Sequence, residues 1–389
     1  RRDGGPLMAA AGARKTGGWV THLLVALFVV LWTVPTLGLF ISSIRDKDQL
    51  SVSGWWTALT TSESNLTGRA PPASAQVETD GRFVISGNLF EGGGRGTVLS
   101  FGTRVQAPNE FPAGQTAPLP DGSQLTVDAD GTFVIASDKA LENTRGQRIF
   151  YRAALPPRFT LDNYREVLSS AGIGQSFINS LTVTIPATII PILIAAYAAY
   201  ALAWMRFPGR ALLLSLVVGL LVVPLQMSLI PLLSLYNWIG QEFGVPAKTY
   251  VGIWIAHTGF GLPLAIYLLR NYIAGLPREI MESARIDGAS DFDIFVRIVL
   301  PLSLPALASF SIFQFLWVWN DLLVAIVFLG AQNDQLVLTA RLVNLLGSRG
   351  SNWEILTASA FITILVPVIV FLSLQRFLIR GMLSGSVKG

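Results

Sequence analysis

Apolar residues along the chain gather into six long runs, 19–44, 177–204, 211–238, 250–272, 299–330 and 355–374, parted by polar connections rich in turn residues. A bilayer core of about 30 Å takes about 20 residues of helix, so each run predicts a membrane-spanning helix. The first run follows Arg14 and Lys15 in the manner of a signal peptide, yet it exceeds the about 7–15 apolar residues of one and no clean small-x-small cleavage site follows. It is expected to remain as a helix, and since the chain opens on Arg1 its start is expected upstream or at Met8. Residues 45–166 have another rhythm. Arg82 to Ile85, Thr97 to Phe101 and Gln124 to Val127 alternate polar and apolar positions between turn residues and predict strands. Asp80-Gly81-Arg82-Phe83-Val84-Ile85-Ser86 returns as Asp130-Gly131-Thr132-Phe133-Val134-Ile135-Ala136, which predicts a repeated turn-plus-strand unit.

The expected architecture is an all-α polytopic membrane protein of six transmembrane helices with a β-rich insert between helices 1 and 2. Its parts are a tail (1–18), helix 1 (19–44), the insert (45–166) and a helical core (167–389) that holds an amphipathic loop (276–298). Lys and Arg on short flanks set orientation. Arg14, Lys15, Arg206, Arg210, Arg270, Arg278, Arg285, Arg297, Arg376, Arg380 and Lys388 all fall on one side, so both termini are expected to be cytoplasmic. The insert is then extracytoplasmic; long loops translocate whatever their charge, so its arginines do not conflict with this. Pro35, Pro186, Pro191, Pro224, Pro231, Pro263, Pro305 and Pro367 lie inside the runs. Each frees a carbonyl that neighbouring helices must satisfy, which predicts a kinked, packed bundle.

Composition removes several classes of chemistry. Charged residues make up 13% of the chain, against about 25% in soluble domains. With no cysteine and only His22 and His257, in separate apolar runs, neither a thiol centre nor a dense metal site is encoded. Basic residues flank apolar runs without interleaved aromatics, so no nucleic-acid surface is expected despite the net charge of +4. The run Gly92-Gly93-Gly94-Arg95-Gly96 lacks the strand–loop–helix setting that binds phosphate and reads as a turn. No catalytic residues are expected.

The strongest local signal is Leu276 to Ser290. Pro277 suits a helix's first turn, Glu279 and Glu282 lie toward its positive end, and Gly288 suits a left-handed stop after Asp287. Ser290, with Asp291 and Asp293, predicts a capped start to a second helix running toward Leu300-Pro301. Glu282-Ser283-Ala284, three residues, Gly288, nine residues and then Ile298-Val299-Leu300-Pro301 together resemble the EAA loop of ATP-binding-cassette importer permeases. Ser283 replaces the usual first alanine there, small for small.

That resemblance extends over most of the chain outside the insert. Pro224-Leu225-Gln226 with Pro231-Leu232, Trp319-Asn320-Asp321 and the ending from Gln375-Arg376 to Lys388-Gly389 resemble the carbohydrate-uptake branch, close to the smaller maltose-importer permease. The insert is similar to that of α-glucoside permeases. The resemblance implies the type I importer permease fold in the cell membrane, with Glu282, Ser283, Ala284, Asp287, Gly288, Leu300 and Pro301 forming the coupling element seated on an ATPase. It implies partnership with a second permease, two ATPase subunits and an extracytoplasmic sugar-binding protein, besides membrane lipid. No GxxxxGK[ST] frame exists in this chain, so ATP and Mg are expected in the partner ATPase and no cofactor here. The implied function is binding-protein-dependent uptake of an α-glucoside or oligosaccharide, maltose- or trehalose-like. The alternatives are a polyol or glycerol derivative as cargo, or a membrane-anchored receptor working through the insert.

Polar residues inside the runs mark the path expected for a solute. Asp321, beside Asn320 about 20 Å along the fifth helix, is expected either to bond a sugar hydroxyl or to hold an interhelical network. Gln226 and Asn179 carry the same pair of readings. Trp204, Trp238, Trp254, Trp317 and Trp319 offer aromatic faces, though interfacial belts also use them. The loop Gly347-Ser348-Arg349-Gly350 matches in position the family's binding-protein docking loop, with a plain connector as the other reading, and the tail from Gly381 is implied to lodge between ATPase subunits.

Overall fold

The computed structural model describes residues 13–79, 81–90, 95–170, 172–348 and 352–386, so the glycine run at 92–94, Asp80, Arg349, Gly350 and 387–389 lie outside the described residues. The chain forms two units, residues 1–164 with 351–358, and residues 165–350 with 359–389.

The first unit opens with helix α1 (Ala13–Ser43), whose stretch Gly18–Ser43 is long and apolar enough to cross a membrane. A short α2 (Lys47–Val52) leads to a 3-10 turn at Trp55–Thr57 and then, among the described residues, to nine strands: β1 (Ser62–Arg69), β2 (Val77–Thr79), β3 (Arg82–Asn88), β4 (Thr97–Gly102), β5 (Phe111–Pro112), β6 (Thr116–Pro118), β7 (Gln124–Val127), β8 (Thr132–Ser137) and β9 (Arg148–Leu155). They form two antiparallel sheets, β1-β9-β4-β5 and β2-β3-β8-β7-β6. Alternation supplies the core: Ile149, Tyr151 and Ala153 of β9, Phe101 of β4, Leu125 of β7 and Phe133 and Ile135 of β8 share one apolar cluster between the sheets. The sequence repeat has a structural counterpart. Its two copies are β3 and β8, which pair antiparallel with Ile85 opposite Ile135, and each carries its hairpin partner, β2 or β7, on its far edge. Gly81 and Gly131 both sit at positive φ in the preceding turns, where a side chain is disfavoured.

The β domain leaves and returns at one place. Arg45 bridges Phe159, the Thr160 amide donates to the Ile44 carbonyl at 2.6 Å, and Asn163 Nδ2 donates to the carbonyls of Ser43 and Arg45 at 2.9 and 2.8 Å. Helix α3 (Asp162–Ser170) follows.

The second unit is helical: α4 (Ile173–Trp204), α5 (Arg210–Leu220), α6 (Leu225–Phe243), α7 (Tyr250–Ile273), α8 (Arg278–Ile286), α9 (Asp291–Ile294), a π turn at Phe295–Val299, α10 (Leu300–Leu302), α11 (Leu304–Asn320), α12 (Leu322–Phe328), α13 (Leu338–Ser348) and α14 (Trp353–Ser386), whose first turns belong to the first unit. Among the described residues four helices are long and apolar enough to cross a membrane, or up to six if each of two bent pairs counts as one span. The continuous helices expected at 211–238 and 299–330 are therefore corrected. The first bends by 105° between α5 and α6, where Pro224 holds extended backbone ahead of α6. The second bends by 72° at Ser303, between Pro301 and Pro305, and breaks again at Asp321.

A proline in a helix frees the carbonyl four residues earlier. In α4, Pro186 frees Thr182, whose carbonyl accepts from Trp254 Nε1 of α7 at 2.9 Å; Pro191 frees Ala187, which accepts from Gln314 Nε2 of α11 at 3.1 Å. In α14, Pro367 frees Thr363, which accepts from Trp319 Nε1 of α11 at 3.0 Å. Three kinks thus choose their neighbours.

Trp254→Phe removes one donor while keeping most of the ring's volume, and is expected to cost about 1 kcal/mol of stability in detergent unfolding. Adding Pro186→Ala restores the helix's own N–H and should recover most of that loss. A cost that persists undiminished in the double variant would contradict the pairing.

Candidate functional site

The loop between α7 and α11 folds as its sequence predicts. Helix α8 ends in a left-handed Gly288 (φ +82°), the Ala289 amide reaching back to the Ala284 carbonyl at 3.0 Å and the Gly288 amide to Arg285 at 3.1 Å. These two bonds form a Schellman stop. A Cβ at Gly288 would meet open space, so the requirement for glycine there is conformational. Ser290 then caps α9: its Oγ accepts from the Asp293 amide at 3.1 Å and donates to the Asp293 carboxylate.

One face of this element is sunk into the helical bundle. Met281 of α8, Ile294 of α9 and Phe295 and Val299 of the π turn share a core with Ala199 and Tyr200 of α4, Leu269 and Ile273 of α7 and Phe310 of α11. Polar contacts reinforce it at α4's end. Asp291 accepts from the Tyr200 hydroxyl at 3.0 Å and from Arg285 Nη2 at 3.3 Å, and Tyr197 and Tyr200 lie edge-on and tilted against Phe295, 5.1 and 5.8 Å between ring centres. The opposite face is open among the described residues: Ile286 is 85% exposed, and Glu282 pairs at the surface with Arg278 at 2.7 Å. Such a pair adds little stability, so Glu282 is available to a partner. Leu300 and Pro301 stand where the π turn passes into α10, just before the 72° bend.

On the same unit lies a cavity of about 1360 Å³ between the α5–α6 bend, α6, α7, α11 and the start of α12. Gln226, Asn320 and Asp321, separated by almost a hundred residues, line it together, with Gln314, Phe260 and Trp317. Apart from Ser228, its other lining side chains are apolar. Hydrogen-bonding edges beside aromatic faces suit a small polyhydroxylated solute. Asp321 does not sit within a continuous helix as expected; it stands at the break, its Oδ1 accepting from the Val324 amide at 3.0 Å as the cap of α12. Asn-Asp ahead of an apolar run is an N-cap signal, and it was there to be read.

Asn179 does not line this cavity. It is buried, its Nδ2 donating to the carbonyls of Asp334 and Leu336 at 2.7 and 3.0 Å and its Oδ1 accepting from Tyr250 and Gln175 at 2.9 and 3.0 Å. Its bonding capacity is spent on joining α4, α7 and the turn segment before α13. Gly347 and Ser348 end α13, while Arg349 and Gly350 fall outside the described residues. Residues that the sequence pattern does not single out are Gln314 and Tyr200. For Gln314 the available signal was the pair of prolines in a facing helix.

Comparison with known proteins gives a consistent picture. Residues 177–384 match the family described as binding-protein-dependent transport system inner membrane component. Over 371 residues, 95% of this chain and 97% of the other, it is 74% identical to the alpha-glucoside transport system permease protein AglG of Rhizobium meliloti. It is 41% identical to the osmoprotective compounds uptake permease protein GgtD of Synechocystis, over 96% of this chain and 95% of that one. Both alignments run across the β domain. Among solved structures, a chain of a bacterial ABC transporter involved in the import of alginate superposes with a TM-score of 0.55 at 17% identity, over 95% of this chain and 99% of that one, a likeness of fold.

Tyr200→Phe deletes the hydroxyl that ties α4 to Asp291. It is expected to raise hydrogen exchange across 278–294 by roughly fivefold, the equivalent of about 1 kcal/mol. Exchange unchanged there would show that the apolar contacts alone hold the element.

Proposed function

The chain belongs to the family of binding-protein-dependent transport system inner membrane components, and from that premise we propose that its cargo is an α-glucoside or related oligosaccharide of the maltose or trehalose kind. It is a permease subunit of an ATP-binding-cassette importer and makes or breaks no substrate bond. The observation that carries the cargo reading is the 74% identity to the alpha-glucoside permease over 95% of the chain, β domain included. The cavity supports it, offering amide and carboxylate edges from Gln226, Asn320 and Asp321 and the ring of Trp317.

In this reading each bent pair is one span, giving six, with both termini cytoplasmic and the β domain extracytoplasmic. A binding protein delivers the sugar from outside, where the loop 347–350 receives it; a second permease completes the pathway. Two ATPase subunits, holding ATP and Mg, seat the α8–α9 element through Glu282, Ser283, Ala284, Asp287 and Gly288. When the ATPases close, Met281, Ile294 and Phe295 carry the displacement into α4, α7 and α11, because all of them share one core. The bends beside Leu300-Pro301 and at Pro224 are the points at which the spans can rotate and turn the cavity from one side of the membrane to the other.

A second reading has one specific observation behind it. The 41% identity to an osmoprotective compounds uptake permease over 96% of the chain keeps a polyol or glycerol derivative as the alternative cargo.

The test is ATPase activity of the assembled importer in proteoliposomes, with its binding protein and a panel of α-glucosides and polyols. Stimulation by an α-glucoside is expected, and Glu282→Lys is expected to abolish both stimulation and uptake while the chain remains in the membrane. Stimulation by polyols alone would transfer the cargo assignment to the second reading. Full transport by Glu282→Lys would overturn the role of α8.

A further inference from the structure

Just beyond α1 the chain doubles back on the helix it has left. Arg45 makes the reversal. Its side chain is 1% exposed, with Nη1 donating to the carbonyls of Ser53 and Gly54 at 2.9 Å each and Nη2 to the Gln49 carbonyl at 3.3 Å and Ser53 Oγ at 2.8 Å. Burial pushes the guanidinium's pKa below its ordinary value, but the bonds it donates hold the far end of the α2 turn against the end of α1. The turn Trp55–Thr57 is thereby returned to α1. A Cβ at Gly38 would lie 2.6 Å from Trp55 Nε1, so the indole rests directly on α1's backbone at a position that only glycine leaves open. Gly38 is inside the apolar stretch Gly18–Ser43, five residues and so about 7–8 Å before its end.

That depth decides what the next residues meet. Trp56, edge-on to Trp55 with ring centres 6.2 Å apart, is 74% exposed, and Leu59 is 83% exposed. Leu37 and Phe40, on either side of the Gly38 at which Trp55 rests, are exposed as well, so the end of the span and the turn docked on it both present apolar side chains. We infer that the turn carrying Trp55, Trp56 and Leu59 is an anchor immersed in the lipid headgroup and acyl-chain boundary of the bilayer, holding the β domain to the membrane surface. A tryptophan at that depth keeps its ring among acyl chains and its N–H among headgroups, the setting in which the residue concentrates in membrane proteins. The fully hydrated alternative leaves two large apolar side chains in water beside a hydrocarbon surface. The inference rests on the membrane reading of α1.

The chain has no cysteine, so a single one reports from a chosen place. Trp56→Cys and Leu59→Cys, each labelled with an environment-sensitive fluorophore, are compared with Trp32→Cys within α1 and Val105→Cys in the β domain. The full chain is assembled with partners made cysteine-free, in nanodiscs of phosphatidylethanolamine and phosphatidylglycerol. Labels at 56 and 59 are expected to show blue-shifted emission and to lose intensity to brominated acyl chains more than to iodide, as at 32, with the reverse order at 105. Iodide quenching at 56 and 59 equal to that at 105 would overturn the anchor, and so would protection from both quenchers, which would mean a protein covers the turn. Failure of brominated lipid to quench at 32 would instead remove the membrane reading of α1 from under it.

Discussion

A carbonyl inside an apolar bundle with no water to bond must find a donor, and this constraint organises the helical unit. Pro186, Pro191 and Pro367 each free one, and Trp254, Gln314 and Trp319 each supply one back from a neighbouring helix. The kinks are therefore specific. Moving α7 or α11 away from α4 would leave an unbonded carbonyl, with a penalty of about 1–3 kcal/mol for each, so the prolines fix which helices are neighbours and at what register.

The same requirement ties structure to transport. Gln314 completes the backbone of α4 and at the same time lines the cavity, held close by the absence of a side chain at Gly261, where a Cβ would lie 2.7 Å from Gln314 Oε1. The α8–α9 element and the π turn after it sink Met281, Ile294 and Phe295 into the core that packs α4, α7 and α11. A displacement at α8 cannot be absorbed locally, because a close-packed core passes it on. The regular helix is interrupted at Pro224 and Ser303, where the bent pairs turn by 105° and 72°.

Much of this was legible in the chain. Apolar run length located the helices, turn glycines and alternation located strands β3, β4 and β7, and the Gly288 stop with the Ser290 cap followed from local backbone chemistry alone. The repeated Asp-Gly unit predicts two like turn-plus-strand units; that the two strands pair with each other comes from the structure. What sequence could not supply was long-range partnership: that Trp254 answers Pro186, or that Gln226 and Asn320 meet at one cavity. Asp321 and Asn179 each carry two readings in the sequence, solute contact or a helix-joining network; in the structure Asp321 caps the helix after it while lining the cavity, and Asn179 ties α4 and α7 to the segment before α13.

If the α8–α9 element and the cavity belong to one mechanical body, the rate at which a hydrophilic thiol reagent modifies Gln226→Cys in the assembled importer will change on ATP binding, and the change will disappear when Gly288→Trp is added. A rate indifferent to ATP, or one that still responds in the Gly288→Trp background, would contradict it.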